Sequence, residues 1–137
     1  MESATAFFLK VQLMKRVILI VEDAESCRDT LEVALMDLPD LAVHSVNSGE
    51  EALQWLARQE VCALVTDLHL PRMDGYELIE AVRLRKRSSM PILVISGDSD
   101  PAMPARVAGL GANAYFAKPF SPAEVRQKLT ELINTAA

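Results

Sequence analysis

Residues 62–75 read CALVTDLHLPRMDG, a short apolar run followed directly by Asp67 and then by a loop that contains Pro71 and Gly75. Five such apolar runs occur along the chain, at Val17–Val21, Leu41–Val46, Cys62–Thr66, Pro91–Ile95 and Ala114–Ala117. Three of them (VILIV, CALV and PILVI) are continuously apolar rather than alternating, which is typical of parallel strands covered on both faces. The sequence therefore predicts five strands of a parallel sheet.

The longer segments between these runs are predicted to be amphipathic helices. Two of them carry apolar residues at helical spacing, namely Leu31, Ala34, Leu35 and Leu38 in one and Val125, Leu129, Leu132 and Ile133 in the other. Residues 48–51 (SGEE) and 121–124 (SPAE) have the capping-box pattern that begins a helix. Residues 77–87 end in a basic run that suits a helix C-terminus. The alternation predicts an α/β fold, (βα)5, with a doubly wound, five-stranded parallel sheet.

Composition and charge limit what this domain can do. The chain has 137 residues, half of them hydrophobic, which is enough for one compact domain. Its 19 acidic and 14 basic residues give a net charge of −5, the wrong sign for following a nucleic-acid backbone. No apolar run approaches the roughly 20 residues of a membrane span. We therefore expect a soluble cytoplasmic protein that binds neither nucleic acid nor a membrane.

Three stretches lie outside this pattern. Residues 1–13 (MESATAFFLKVQL) are expected to be a flexible N-terminal extension to a domain of residues 14–137. Cys27 and Cys62 have no C-x-x-C spacing and no histidine at metal-ligand spacing, and they are interpreted as buried thiols in a reducing compartment. Residues 98–104 (DSDPAMP) contain two prolines, which predict a short and mobile fourth helix.

Polar side chains follow the predicted strands at the point where each strand ends. Glu22 and Asp23 follow the first strand, Asp67 the third, Ser96 the fourth and Lys118 the fifth. The carboxyl ends of parallel strands meet at one edge of the sheet, so these groups are expected to converge. Carboxylates packed together repel one another unless a cation holds them ionised, and oxygen ligands favour Mg²⁺ or Mn²⁺. The sequence therefore predicts a divalent-metal site at this edge.

The stretches VILIVEDAES (17–26), VTDLHLPRMDGYEL (65–78), PILVISGDSD (91–100) and YFAKPF (115–120) resemble the receiver domains of two-component response regulators in order, spacing and strand position. The resemblance covers residues 14–134 and implies the flavodoxin-like receiver fold. It implies that Asp67 is the phosphoacceptor, that Asp23 binds Mg²⁺ directly and Glu22 through water, and that His69 provides its backbone carbonyl. It makes Lys118 the group that neutralises charge on the phosphoryl oxygens.

The resemblance also implies a conformational switch. Ser96 would bond a phosphoryl oxygen after transfer, and Tyr115 would occupy the aromatic switch position. The Lys118–Pro119 peptide bond would be cis, and His69 and Asp98 lie where the family tunes hydrolysis of the acyl phosphate. The implied partners are a sensor histidine kinase or a histidine phosphotransfer protein. A downstream protein effector would bind the face of the fourth helix, fifth strand and fifth helix, and homodimerisation on phosphorylation is left open.

Three alternatives remain at the level of sequence. A Mg²⁺-dependent phosphohydrolase of similar topology normally has a second aspartate two residues after its nucleophile, where this chain has His69. A flavodoxin-like mononucleotide binder needs a glycine-rich loop after the first strand, where this chain has Asp-Ala-Glu-Ser. A receiver-shaped docking module that is never phosphorylated is the third. The few residues after Ser121 are expected to leave no room for an output domain unless the chain is a fragment.

Overall fold

The computed structural model describes residues 3–6, 16–85 and 89–136. Residues 4–6 form one helical turn, and over residues 16–85 and 89–136 five strands alternate with five helices. The elements are β1 (Arg16–Val21), α1 (Glu25–Leu35), β2 (Leu41–Val46), α2 (Gly49–Arg58), β3 (Ala63–Thr66), α3 (Gly75–Arg85), β4 (Ile92–Ser96), α4 (Met103–Leu110), β5 (Ala114–Ala117) and α5 (Pro122–Ala136). The predicted strand boundaries are confirmed to within one residue, and the (βα)5 alternation is confirmed.

All five strands are parallel and lie in the order β2-β1-β3-β4-β5. Side chains alternate between the two faces, so that Ile18 and Ile20 of β1 join one buried cluster and Leu19 and Val21 join the other. Helices α1 and α5 cover the first face, and α2, α3 and α4 cover the second. The doubly wound sheet predicted from the continuous apolar runs is therefore confirmed, with both faces closed to water.

Helix starts follow the predicted capping residues with one exception. The Ser48 hydroxyl accepts a hydrogen bond from the backbone N–H of Glu51 at 3.2 Å, and the Ser121 hydroxyl accepts one from Glu124 at 3.3 Å. The prediction of a helix over residues 77–87 was wrong at its start, because α3 begins at Gly75, and residues 86 and 87 lie outside the described part of the chain. Asp74 provides the cap instead, since its carboxylate accepts a hydrogen bond from the Glu77 N–H at 2.8 Å.

The prediction of two buried cysteines also changes. Both cysteines are free but only half-buried, because Cys27 lies in the exposed first turn of α1 and Cys62 lies just before β3. The fourth helix is short, as predicted, with eight residues, and its mobility stays a prediction. Of the expected N-terminal extension, only residues 3–6 lie within the described part of the chain. In the described ranges, no helix is long and apolar enough to cross a membrane.

Candidate functional site

The carboxyl ends of β1, β3 and β5 bring the predicted acidic and basic residues together at one edge of the sheet. Glu22 follows β1 and Asp67 follows β3, and the Asp67 N–H donates to the Val21 carbonyl at 3.1 Å. Lys118 follows β5, and its Nζ lies 2.8 Å from Asp67 Oδ2. Residues distant in sequence therefore form one polar pocket because their strands are parallel and aligned.

Asp67 is held on both of its carboxylate oxygens. Oδ1 accepts hydrogen bonds from the backbone N–H groups of Leu68 at 2.6 Å and His69 at 3.2 Å. Oδ2 accepts one from Lys118 Nζ at 2.8 Å. The residue is only 5 % exposed, so these charge-assisted bonds replace most of the water that an ionised carboxylate would otherwise bind. The arrangement fixes the carboxylate in one orientation at the rim of the sheet.

Glu22 and Lys118 form the second half of the pocket. Lys118 Nζ lies 3.4 Å from both carboxylate oxygens of Glu22, and Glu22 Oε1 accepts a hydrogen bond from the Ala24 N–H at 3.1 Å. Burial raises the pKa of the Glu22 carboxyl to about 7, and the charge of Asp67 contributes to the increase. Burial alone would lower the pKa of Lys118, but its hydrogen bond to Asp67 and the two carboxylate charges raise it. Lys118 is therefore an ammonium ion beside two competing carboxylates.

The same pocket contains a set of oxygen ligands that fits a hard divalent cation. Glu22, Asp23 and Asp67 each offer a carboxylate oxygen, and these three atoms lie within 4.8 Å of one another. Glu22 and Asp67 are buried, whereas Asp23 is exposed at the opening. One lysine cannot neutralise three carboxylates, and an all-oxygen donor set is the type that Mg²⁺ or Mn²⁺ prefers. The residues present therefore fit the predicted metal.

Ser96 is the last residue of β4 rather than the first residue after it, and it is fully buried. Its hydroxyl oxygen accepts a hydrogen bond from the Asp98 N–H at 3.0 Å, and its carbonyl accepts one from the Lys118 N–H at 2.8 Å. The Lys118 side chain also passes Gly97 closely, because a Cβ atom at Gly97 would lie 4.0 Å from Lys118 Cβ and Cδ. Ser96 thus adjoins Lys118 and holds the start of the β4–α4 loop.

Gly75 allows the loop after Asp67 to fold back against β3. The Gly75 N–H donates to the Leu68 carbonyl at 2.9 Å. A Cβ atom at Gly75 would lie 2.3 Å from the Asp67 carbonyl oxygen and 2.6 Å from Leu68 Cα, distances that backbone atoms cannot accommodate. The loop that begins with Leu68 and His69 is therefore positioned by a close backbone approach that requires glycine.

The remaining predicted residues surround this pocket. Tyr115 lies in β5 opposite Val94 and packs, partly buried, against the apolar cluster on the α2–α3–α4 face. The Lys118–Pro119 bond is cis, as the resemblance implies. His69 Nε2 lies 3.9 Å from Asp98 Oδ2 across the opening, with the His69 side chain 68 % exposed. Its backbone amide, rather than its ring, contacts Asp67.

Sequence reasoning missed two contacts of this region. The Glu22 carboxylate bonds Lys118 directly, whereas the sequence suggested only a metal-related role for it. The Arg106 guanidinium of α4 lies over the ring of Tyr76 in α3, 3.7 Å from the ring centroid. Both contacts depend on how elements far apart in sequence pack together, and no local pattern signals them.

Comparison with known proteins agrees with this geometry. The family described as response regulator receiver domain matches residues 18–130. A chemotaxis protein CheY homolog of Campylobacter jejuni is 31 % identical over 122 residues, covering 88 % of this chain and 94 % of that protein. A probable transcriptional regulator, ycf27 of Porphyridium aerugineum, is 36 % identical over 124 residues, covering 89 % of this chain and 50 % of that protein.

Solved structures show the same similarity. A putative response regulator from Chloroflexus aurantiacus has a TM-score of 0.80 at 33 % identity, covering 88 % of this chain and 98 % of that one. The signal receiver domain of an HD domain-containing protein from Pseudomonas fluorescens has a TM-score of 0.81 at 28 % identity, covering 88 % and 96 %. The chain spans about half the length of several of the relatives that it matches. It belongs to the family of response regulator receiver domains.

Proposed function

We propose that Asp67 is the phosphoacceptor of this receiver domain and that it takes a phosphoryl group from a phosphohistidine. One observation carries the proposal: Asp67 is a nearly buried carboxylate whose Oδ2 lies 2.8 Å from the Lys118 ammonium, within a cluster of three carboxylates that could hold a metal ion. A loose phosphoryl-transfer transition state spreads charge over three oxygens, so positioned cations provide most of the catalysis. This pocket provides one cation, the Lys118 ammonium, and its carboxylates fit a second, a divalent metal ion.

In the proposed reaction the P–N bond of the donor histidine breaks and a P–O bond forms to a carboxylate oxygen of Asp67. The electron pair of the broken bond stays on the histidine nitrogen, and the product is a mixed carboxylic–phosphoric anhydride. Hydrolysis later places a water oxygen on phosphorus, releases inorganic phosphate and restores the carboxylate. The domain therefore catalyses only its own phosphorylation and dephosphorylation, and it converts no separate substrate.

Each neighbouring residue has a proposed role. Lys118 neutralises developing charge on the phosphoryl oxygens, because its ammonium already lies at hydrogen-bond distance from Asp67. The Leu68 and His69 amides orient the carboxylate. Glu22, Asp23, Asp67 and the His69 carbonyl would hold Mg²⁺, with Glu22 acting through water. When bound, Mg²⁺ supplies a positive charge that offsets carboxylate repulsion and polarises the phosphoryl group.

Ser96 is proposed to connect this chemistry to the surface. Its hydroxyl donates a hydrogen bond to a phosphoryl oxygen after transfer. Because the same hydroxyl accepts a hydrogen bond from the Asp98 N–H, its displacement would also move the β4–α4 loop. Tyr115 then turns into the space beside β4, and the face formed by α4, β5 and α5 changes. A protein effector that binds this face would read the phosphorylation state.

The proposed partners follow from this reaction. A sensor histidine kinase or a histidine phosphotransfer protein supplies the phosphohistidine, and because such donors are made from ATP we place the exchange in the cytoplasm. The proposed receiver domain spans residues 14–137, with residues 1–13 as an extension. The net charge of −5 supports a protein rather than a nucleic acid as the direct partner of this domain. Dimerisation on phosphorylation remains an outcome to be measured.

Intact mass spectrometry after incubation with acetyl phosphate and Mg²⁺ tests the proposal. We expect one added phosphoryl group in the parent chain and in Asp29→Asn, a matched change on the exposed face of α1. We expect none in Asp67→Asn, because the amide is nearly isosteric but cannot form an acyl phosphate. Phosphorylation of Asp67→Asn, or no Mg²⁺-dependent mass increase in the parent, would contradict the assignment.

A further inference from the structure

Helix α4 is the shortest of the five helices between and after the strands. It has eight residues, its N-cap Ala102 makes no side-chain capping hydrogen bond, and Pro104 lies in its first turn. Only Met103 and Val107 are fully buried along it. Met103 and Val107 anchor the helix in the apolar cluster, and polar contacts at its surface add to what holds this short helix in place.

The two ends of α4 are held to α3 by different kinds of contact. At the C-terminal end, Arg83 of α3 donates to the Gly111 carbonyl from Nε at 3.1 Å and from Nη2 at 2.7 Å. Nearer the N-terminal end, the exposed Arg106 guanidinium stacks over the partly buried ring of Tyr76. The first contact is a pair of hydrogen bonds to a backbone carbonyl, whereas the second is a cation–π contact at the surface, and the Arg106 charge also acts on the Tyr76 hydroxyl.

A short chain of hydrogen bonds joins Ser96 to the start of α4. The Asp98 N–H donates to the Ser96 hydroxyl at 3.0 Å, the Asp100 N–H donates to the Asp98 carboxylate at 2.9 Å, and the Ala102 N–H donates to the Asp100 carboxylate at 3.0 Å. Ala102 is the N-cap of α4. The hydrogen-bond chain from Ser96 therefore reaches the end of α4 at which Met103 is buried, one turn before Arg106 stacks on Tyr76 of α3.

We propose that the stack of Arg106 on Tyr76 is a latch that stabilises the unphosphorylated position of α4 and so opposes the switch. This inference rests on the proposed function. Coupling between two sites is reciprocal: if phosphorylation shifts α4 away from α3, then weakening a contact present only in the unshifted position must favour phosphoryl binding. The stronger this contact is, the more interaction free energy the phosphoryl group must supply to move the α4–β5–α5 face.

Beryllofluoride, a non-covalent mimic of a phosphoryl group on a carboxylate, tests this in the presence of Mg²⁺. We expect Arg106→Gln and Tyr76→Leu each to bind beryllofluoride about two- to fivefold more tightly than the parent, the range that an exposed cation–π contact provides. The double variant should gain no more than either single variant, since both remove the same contact. Tyr76→Phe keeps the ring but loses the hydroxyl beside Arg106, so its beryllofluoride affinity should lie between those of the parent and Tyr76→Leu.

The control is Arg85→Gln, which makes the same charge change on the exposed end of α3 and should leave beryllofluoride affinity unchanged. Unfolding free energies of all variants separate a structural role from the latch, because lost stability with unchanged affinity would overturn the inference. Unchanged affinity in Arg106→Gln and Tyr76→Leu, with normal binding by the parent, would overturn the latch alone. Failure of the parent to bind beryllofluoride would contradict the proposed function and the latch with it.

Discussion

Removing the charge of Glu22 should flatten the dependence of stability on pH in the metal-free protein. Burial and the nearby Asp67 charge raise the pKa of Glu22 to about 7 from an ordinary value of 4.5. The folded state therefore binds this proton more tightly than the unfolded state. The stabilisation is complete below about pH 4.5 and is lost as the pH rises through about 7.

The size of the effect follows from that interval. A tenfold change in proton affinity corresponds to about 1.4 kcal/mol, so the interval from 4.5 to about 7 corresponds to about 3 kcal/mol. Glu22 is only 1 % exposed, so solvent screening reduces this figure little. In Glu22→Gln no proton is exchanged at this position, and the corresponding loss of stability between about pH 5 and about pH 8 should disappear.

Urea unfolding at a series of pH values, with a chelator present, measures the effect. Every other ionisable side chain is the same in parent and Glu22→Gln, so the difference between their pH profiles isolates the Glu22 contribution. Glu80→Gln, a change of an exposed carboxylate on α3, serves as the matched control. Mg²⁺ should also reduce the slope in the parent, because metal binding favours ionised carboxylates. Equal slopes in parent and Glu22→Gln would show that Glu22 does not take up a proton on folding.

Three further changes test separate parts of the site. Asp23→Ala should weaken Mg²⁺ binding, because it removes one of three clustered carboxylate ligands, and unchanged affinity by titration calorimetry would count against that role. Gly75→Ala should lower the unfolding free energy by about 3 kcal/mol or more and reduce phosphorylation, because its Cβ would collide with the Asp67 carbonyl oxygen; denaturant unfolding with parent-like stability would show that the loop relaxes at no cost. Ser96→Ala should still accept phosphate, but loss of a charge-assisted hydrogen bond of roughly 1.5 to 3 kcal/mol should shift the switch equilibrium about tenfold or more towards the inactive state. Amide chemical shifts near Tyr115 should then change much less on phosphorylation, and an undiminished change at matched phosphorylation would exclude Ser96 from the switch.

The convergence of Glu22, Asp67 and Lys118 could be predicted from sequence because it depends on a general property of parallel sheets. Each residue directly follows a strand, and the carboxyl ends of parallel strands lie at one edge. The strands themselves were identifiable because they are continuously apolar, as buried parallel strands are. The lining of the pocket was therefore encoded in short local patterns.

The start of α3 shows where local patterns were insufficient. Gly75 is a poor helix former and was assigned to a turn, yet it is the first residue of the helix. Two features of the structure explain why the helix begins at Gly75. Asp74 and Glu77 cap the helix, and the carbonyl of Asp67 lies too close to residue 75 for any Cβ atom. The second fact depends on tertiary structure and is absent from the sequence around Gly75.

The contacts that sequence could not provide join elements with no fixed spacing between them. The hydrogen bond from Asp98 N–H to Ser96 depends on loop conformation, and the stack of Arg106 on Tyr76 depends on how α4 packs against α3. The half-burial of Cys27 similarly depends on where the first turn of α1 lies relative to the pocket. Contacts of this kind between helices and loops are proposed to couple phosphorylation to the α4–β5–α5 face. The residues at the strand ends are proposed to perform the phosphoryl transfer.

Mapping the phosphorylated residue distinguishes Asp67 from every other carboxylate that could accept the phosphoryl group. After incubation with acetyl phosphate and Mg²⁺, borohydride reduces an aspartyl phosphate to homoserine, and peptide mass spectrometry then identifies the modified position. The account predicts homoserine at position 67 alone, dependent on Mg²⁺ and absent without the phosphodonor. Homoserine at Asp23 or Asp98 with an unmodified Asp67, or no reduced residue in a chain that has gained a phosphoryl group, would contradict it.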